Sequence, residues 1–352
     1  MASVAMRTPS HFMVNTAPAE FAQALIRWQK NAGRHDLPWQ QKGRARDPYR
    51  IWLSEIMLQQ TQVATVIPYY ARFLARFPDL ASLAAAPTED VMALWSGLGY
   101  YARARNLQQA AQEVVAKHGG RFPQRIEDIE ALPGIGRSTA AAIAVFAFGE
   151  RAAILDGNVK RVLARVFGIE GFPGEKTVEA RLWALAESLL PNHDLVAYTQ
   201  GLMDLGATLC LLRRPRCGDC PVAAQCVALR ENRVASLPTP RAKRAVPQRS
   251  VTLLVQLDRG RVLLERRPPK GIWGGLLSLP ELPPGKIPRR YAGAVPLPVL
   301  RHAFTHFRLD ITPLLCKVSH CDTAVDGVWL SLKKLDEAPL PAPIRKILEG
   351  LT

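Results

Sequence analysis

The chain has 352 residues, more than one ordinary domain holds, and 48% of them are hydrophobic, enough to bury two cores. Lysine and arginine total 46 against 30 aspartate and glutamate, a formal net charge of +16, which favours a polyanionic partner such as nucleic acid, although a solvated arginine-rich surface gives the same balance. No stretch approaches the roughly 18 uninterrupted apolar residues of a membrane span, and residues 1–18 lack the charged start and apolar core of a secretory signal, so a cytoplasmic, nucleoid-associated protein is expected.

Residues 1–19 are expected to form a disordered leader. From Glu20 to Leu229 apolar residues recur at three and four spacings, predicting helices over 21–28, 49–58, 65–77, 102–115, 137–148, 159–167, 178–190 and 195–209. Proline and glycine punctuate the stretch at Gly97-Leu98-Gly99, Pro133-Gly134 and Phe172-Pro173-Gly174. This reads as an all-α domain over 20–229. Over 230–249, Pro238, Pro240 and Pro247 mix with Arg241, Lys243, Arg244 and Arg249, as in a basic, extended linker. Beyond it the period becomes two. Strands are predicted over 251–257, 261–265, 302–304 and 309–318, with a closing helix over 341–348. The second domain, 250–352, is therefore a smaller α+β unit, and the fold class is multidomain.

Four of the six cysteines sit together: Cys210, six residues, Cys217, two residues, Cys220, five residues, Cys226. In a cytosolic protein such a group reads as metal ligands, and thiolate chemistry alone permits zinc or an iron–sulfur cluster. The 6-2-5 spacing resembles the [4Fe–4S] loop, here 210–226, of the endonuclease III superfamily of helix-hairpin-helix glycosylases. Arg213, Arg214 and Arg216 lie inside the loop, where they clamp phosphate or offset the cluster's charge. Cys316 and Cys321 read as ordinary thiols.

Leu132-Pro133-Gly134-Ile135-Gly136 precedes the helix predicted over 137–148. Its glycines allow a tight turn, and free amides at a helix start grip phosphate. Leu155-Asp156-Gly157-Asn158 follows. Together these resemble the helix-hairpin-helix and catalytic aspartate signature of that superfamily. The grip is independent of base sequence, so it positions the protein without choosing a base.

Cleaving an N-glycosidic bond gives the sugar oxocarbenium character, and the base leaves more easily when protonated, so two carboxyl groups of different acidity suit the task. Asp156 is one candidate, with helix capping as its simpler reading. Glu55 is the other, in Trp52-Leu-Ser-Glu55-Ile-Met-Leu58-Gln-Gln60-Thr61-Gln62, on a helix with apolar neighbours that raise a carboxyl pKa; its simpler reading is an exposed helical glutamate. The string resembles the adenine DNA glycosylase family. The resemblance implies that Glu55 protonates the adenine at N7, that Asp156 stabilises the cationic sugar, and that Asn158 orients Asp156 or the attacking water. It implies that Leu58, Gln60 and Thr61 touch the opposing base or the stack. Bifunctional relatives carry a nucleophilic lysine where this chain has Ser138, and a hydroxyl cannot form an imine, so a monofunctional enzyme using water is expected. Lys160, near Asp156, is expected to trap the product aldehyde only adventitiously.

A flipped base leaves a gap to fill. Gly97-Leu98-Gly99-Tyr100-Tyr101 offers an aromatic wedge on a glycine-hinged loop, and the resemblance assigns the insertion beside the oxidised guanine to Tyr100. It further implies that Trp39 walls the adenine pocket and that Gln200 bonds the flipped base. In the second domain, Arg261-Val-Leu-Leu-Glu-Arg-Arg and Gly271-Ile-Trp-Gly-Gly-Leu resemble a Nudix fold. After Pro280 the sequence runs Glu-Leu-Pro-Pro-Gly-Lys, without the acidic helix that carries the Nudix metal, so pyrophosphatase activity is not expected. The matching domain of adenine glycosylases recognises 8-oxoguanine, here through Phe304, Thr305 and His306, with Thr305 standing where the family often has serine. The expected enzyme is a monomer acting on duplex DNA that holds an adenine paired with 8-oxoguanine or guanine, with Glu55 and Asp156 bracketing the extruded nucleoside. The alternatives are a bifunctional glycosylase/lyase acting on oxidised pyrimidines and a non-catalytic DNA-binding protein.

Overall fold

The computed structural model describes residues 18–40, 46–242, 245–268, 270–285, 287–304, 306–318 and 327–351. The leader through residue 17, Lys243, Arg244, Thr305 and Cys321 lie outside them. Contacts divide the chain into two compact units, one of 1–51, 124–131 and 135–242, the other of 52–123, 132–134 and 243–352. This division does not follow the change from helix to strand.

The helices are α1 (Pro18–Ala32), α2 (Pro48–Leu58), α3 (Val63–Arg76), α4 (Leu80–Ala85), α5 (Thr88–Trp95), α6 (Ala102–His118), α7 (Ile126–Glu130), α8 (Arg137–Phe148), α9 (Gly157–Val166), α10 (Lys176–Ser188), α11 (Leu195–Asp204) and α12 (Val227–Arg230). The first unit is built around α8, whose residues Ala140 to Val145 are all buried. Its run of alanines lets neighbours approach from every side, as in a helix with no solvated face. Gly149 closes it in the left-handed conformation (φ 75°), a position that favours glycine. Phe21, Leu25, Val145, Val162, Leu182, Tyr198 and Leu202 form the core, with Phe21 set edge-on to Phe167 at 5.4 Å. The π turn Leu205–Leu209 extends α11. A Cβ on its Gly206 would lie 2.6 Å from that of Asn158, so only glycine lets this turn pack on the start of α9. The stretch after α12 is anchored by Leu237, whose carbonyl accepts from Arg165 Nε (2.8 Å), and by Thr239, whose hydroxyl accepts from Gly171 N (3.1 Å).

In the second unit, α4 and α5 pack on α6, and Phe73 and Trp95 meet edge-on at 6.0 Å. Asp79 caps α4 in a capping box with Ser82. The strands are β1 (Gln248–Asp258), β2 (Arg261–Arg266), β3 (Leu277–Ser278), β4 (Glu281–Leu282), β5 (Val295–Pro296), β6 (Leu300–Ala303), β7 (Arg308–Lys317) and β8 (Val328–Ser331), and α13 (Ala342–Glu349) closes the chain. They form one mixed sheet in which β1 runs parallel to β7, from Gln248 opposite Arg308 to Leu257 opposite Lys317. β1 pairs with β2 and β4, β2 with β3 and β8, and β7 with β5 and β6. No helix among the described residues is long and apolar enough to cross a membrane.

Candidate active site

Asp156 stands at the N-cap of α9, where its Oδ1 accepts from the amide of Val159 (2.8 Å). Burial pushes its carboxyl above the ordinary carboxylate range, against the amides of Val159 and Asn158 and the cations of Arg161 and Lys160, which pull it down. Capping alone favours an ionised aspartate; desolvation reverses the sign. Just upstream, the amide of Leu155 donates to Ser138 Oγ (2.9 Å), so that hydroxyl ties the first turn of α8 to the aspartate's strand of chain. Asn158 Oδ1 accepts from Arg161 Nη2 (2.8 Å), and the same guanidinium reaches the carbonyls of Gly206 and Cys210, both at 2.7 Å. Lys160 Nζ is held by Glu179 at 2.5 Å.

Gln200 is nearly buried on α11. Its Nε2 donates to Asp204 Oδ1 (2.8 Å), which fixes the side-chain amide. Asp204, fully buried, takes both the amide (2.9 Å) and the Nε (2.7 Å) of Arg34. Trp39 is buried in the same unit.

The four clustered cysteines, all free thiols, line one pocket together with Arg165, Val166, Leu205 and Val222. Burial raises the thiols of Cys220, to about 11, and Cys226, with the neighbouring cysteines adding to the shift. The amide of Val222 donates to Cys220, and those of Leu229 and Ala228 donate to Cys226. Arg165 Nη1 lies 3.4 Å from Cys210 Sγ. Among the described residues no three His, Cys, Asp or Glu side chains converge as the ligands of one metal ion. Arg213, Arg214 and Arg216 are exposed.

In the second unit, Glu55 is half-buried on α2, flanked by the buried Ser54, Ile56 and Met57. Leu58 ends the helix, and the turn behind it carries Gln60, with a left-handed backbone (φ 56°), and Thr61. The loop 97–101 carries a second left-handed residue, Tyr100 (φ 49°), itself 45% exposed, beside the buried Leu98. Each such non-glycine residue costs about 1–2 kcal/mol, a strain that persists only where neighbours hold it. Arg103 holds both. Its Nη1 donates to the carbonyls of Ile56 (2.9 Å), Met57 (2.8 Å) and Gln59 (2.7 Å). Its Nη2 reaches Thr61 Oγ1 (3.1 Å), Leu98 O (3.4 Å) and Gly99 O (3.2 Å). Burial lowers this guanidinium to about 10. In the hairpin turn, Gly134 has φ 79°, and a Cβ there would lie 2.7 Å from that of Asn106. In the first unit, Gly136 caps α8 with extended backbone.

At the strand end of this unit, Phe304 stacks on Phe307 at 4.4 Å and meets His302 edge-on at 4.6 Å, with Trp273 6.2 Å away. The amide of Phe304 donates to Phe307 O (2.9 Å), closing a turn from which His306 is exposed. Thr305 lies outside the described residues. Between β4 and β5 the described residues hold no α-helix, only the 3-10 turn Arg289–Tyr291.

Residues 53–188 match the family described as HhH-GPD superfamily base excision DNA repair protein, and residues 251–350 match the NUDIX domain. An adenine DNA glycosylase of Buchnera aphidicola subsp. Acyrthosiphon pisum is 36% identical over 342 residues, 94% of this chain and 97% of that one. The chain belongs to the adenine DNA glycosylase family. A mouse adenine DNA glycosylase is 34% identical over 412 residues, covering 97% of this chain and 79% of its own. A solved structure described as a thermostable thymine-DNA glycosylase is 30% identical, with a TM-score of 0.53, covering 61% of this chain and 97% of that one.

For a member of this glycosylase family, sequence reasoning missed Arg34, Asp204, Arg103 and Arg161. Gln200 and Asp204 stand four apart on one helical face, a signal that was available. The arginines reach their partners across up to 170 positions, and no local pattern marks them.

Proposed function

We propose that the protein is a monofunctional enzyme that hydrolyses the N-glycosidic bond of an adenine paired with 8-oxoguanine or guanine in duplex DNA, acting as a monomer in the cytoplasm, associated with the nucleoid. Glu55 donates a proton to N7 of the adenine, the C1′–N9 bond breaks, and adenine leaves as a neutral base. Asp156 stabilises the oxocarbenium sugar, water adds to C1′, and the extra proton passes to solvent or to Asp156. Asn158 orients the aspartate or that water. The single observation that carries the reading is Asp156 itself. It is a carboxylate pinned by a helix-start amide where charge is costly, so a cation formed beside it gains more than it would in water. Ser138 supplies no amine and its hydroxyl is engaged with Leu155, which supports water as the nucleophile. Gln200, whose Nε2 is held by Asp204, accepts at Oε1 from the exocyclic amine of adenine, and Trp39 walls the base.

Tyr100 fills the gap beside the lesion while Leu58, Gln60 and Thr61 probe the stack. The hairpin at Phe304, Thr305 and His306 recognises 8-oxoguanine, and the first turn of α8 with Gly134 and Gly136 grips the backbone. Domains of 20–229 and 250–352, joined by 230–249, carry the two tasks. Cys210, Cys217, Cys220 and Cys226 would hold a [4Fe–4S] cluster. They line one pocket together, and the amides aimed at Cys220 and Cys226 suit the sulfur ligands of such a cluster. When bound, the cluster supplies a rigid node that presents Arg213, Arg214 and Arg216 to phosphate.

The test is a duplex assay on the purified full chain. Adenine released opposite 8-oxoguanine or guanine, with strand breakage only after alkali, supports the proposal. Robust breakage without alkali indicates a bifunctional lyase instead, and no base release indicates a non-catalytic DNA-binding protein.

A further inference from the structure

The guanidinium of Arg103 joins two segments that are separate in sequence. On one side it collects the last carbonyls of α2 and the Thr61 hydroxyl; on the other it collects the carbonyls of Leu98 and Gly99. Its Cζ lies 5.4 Å from the ring centroids of both Trp95 and Tyr100, and the Trp95 indole donates to Gly99 O (3.1 Å). The backbone amide of Arg103 also donates to Tyr100 O (2.8 Å). Two left-handed non-glycine residues, Gln60 and Tyr100, therefore sit on the two segments that one buried fork fastens. A planar guanidinium can serve both sides at once; a lysine ammonium, a single point charge, cannot.

We infer that Arg103 is a positioning residue that makes the Gln60–Thr61 turn and the Tyr100 loop one mechanical unit, so that probing of the stack and filling of the gap engage the DNA together. The inference rests on the proposed roles of Gln60 and Tyr100. Free of the fork, each left-handed residue relaxes independently, and insertion of Tyr100 no longer registers what Gln60 has met.

The experiment is a mutant cycle on the full chain, read as single-turnover excision from an adenine:8-oxoguanine duplex. In the natural background, Gln60→Ala and Tyr100→Ala together lose far less than the product of their separate losses, because disabling one segment idles the other. In the Arg103→Lys background the losses multiply. Thr61→Val removes the hydroxyl that accepts from Arg103 Nη2, together with that hydroxyl's own bond to Gln59 O (3.3 Å), and weakens the coupling in the same direction; it decides the matter should Arg103→Lys fail to fold. Multiplicative losses in the natural background overturn the inference, as does coupling that survives both Arg103→Lys and Thr61→Val. A single Gln60→Ala or Tyr100→Ala without effect instead removes the proposed role of that residue, which is a separate failure and takes the inference with it.

Discussion

The hydroxyl of Ser138 accepts the backbone amide of Leu155 at 2.9 Å, one residue before Asp156. Ser138 therefore acts as an anchor for the aspartate's backbone. Ser138→Ala leaves that amide without its partner and is expected to cost about 1–3 kcal/mol, while Ser138→Thr keeps most of it. Thermal denaturation distinguishes them; an alanine variant as stable as the natural chain refutes the anchor.

The raised pKa of Asp156 makes a prediction about stability. Its folded state binds a proton more readily than the unfolded chain, whose carboxyl titrates near about 3.9. Below that value both states are protonated and nothing is lost. Stability then falls as pH rises through the folded value, and the full cost is present at neutral pH. Asp156→Asn keeps a good cap and removes the charge, so at pH 7 it is expected to match or exceed the natural melting temperature by a few degrees. A clear drop in melting temperature argues against burial as the dominant cause.

On the proposed role, in which Asp156 must be ionised to stabilise the sugar, the same shift is expected to raise the acid limb of the excision rate. Lys160 is one of the cations that lower it. Lys160→Met is expected to move the limb to higher pH, with the plateau kept. A limb that stays put or moves down shows that Asp156 does not set it.

The helices with two or more turns of apolar period were legible, and α8 keeps its predicted bounds because Gly136 and Gly149 punctuate it on both sides. The short helices α4, α7 and α12 and the two-residue strands β3, β4 and β5 escaped, since elements that short carry no period to count; α5 escaped because its buried apolar residues, Val91, Met92 and Trp95, span little more than one turn. At the candidate site, the cysteines were marked by their spacing, and Asp156, Ser138 and Gln200 only by the resemblance to the family. Their holders were not. Arg103 and Arg34 are buried or half-buried cations, and from sequence alone a cation reads as solvated surface.

Gly97 offers a packing test. A Cβ there would lie 2.2 Å from the hydroxyl of Tyr69, and φ is +95°. That hydroxyl donates to Ser96 O at 2.9 Å. Gly97→Ala is expected to destabilise the loop through both the contact and the backbone, the latter about 1–2 kcal/mol. In a Tyr69→Phe background the contact is relieved and only the backbone cost remains. Equal losses in the two backgrounds contradict the contact.

Asp204 takes two hydrogen bonds from Arg34 and one from Gln200 while fully buried. Asp204→Asn strands the guanidinium and is expected to cost about 3 kcal/mol or more. Replacing Arg34 and Asp204 together by leucine is expected to cost less than the single change. Additive losses in a denaturant series contradict the pairing.

The most direct test of the account is single-turnover excision by Asp156→Asn on an adenine:8-oxoguanine duplex, with duplex affinity measured alongside. The account predicts a rate lower by at least about a hundredfold with affinity held within about threefold. A rate within about tenfold of the natural enzyme would contradict it, because ionised Asp156 then contributes too little to the sugar cation.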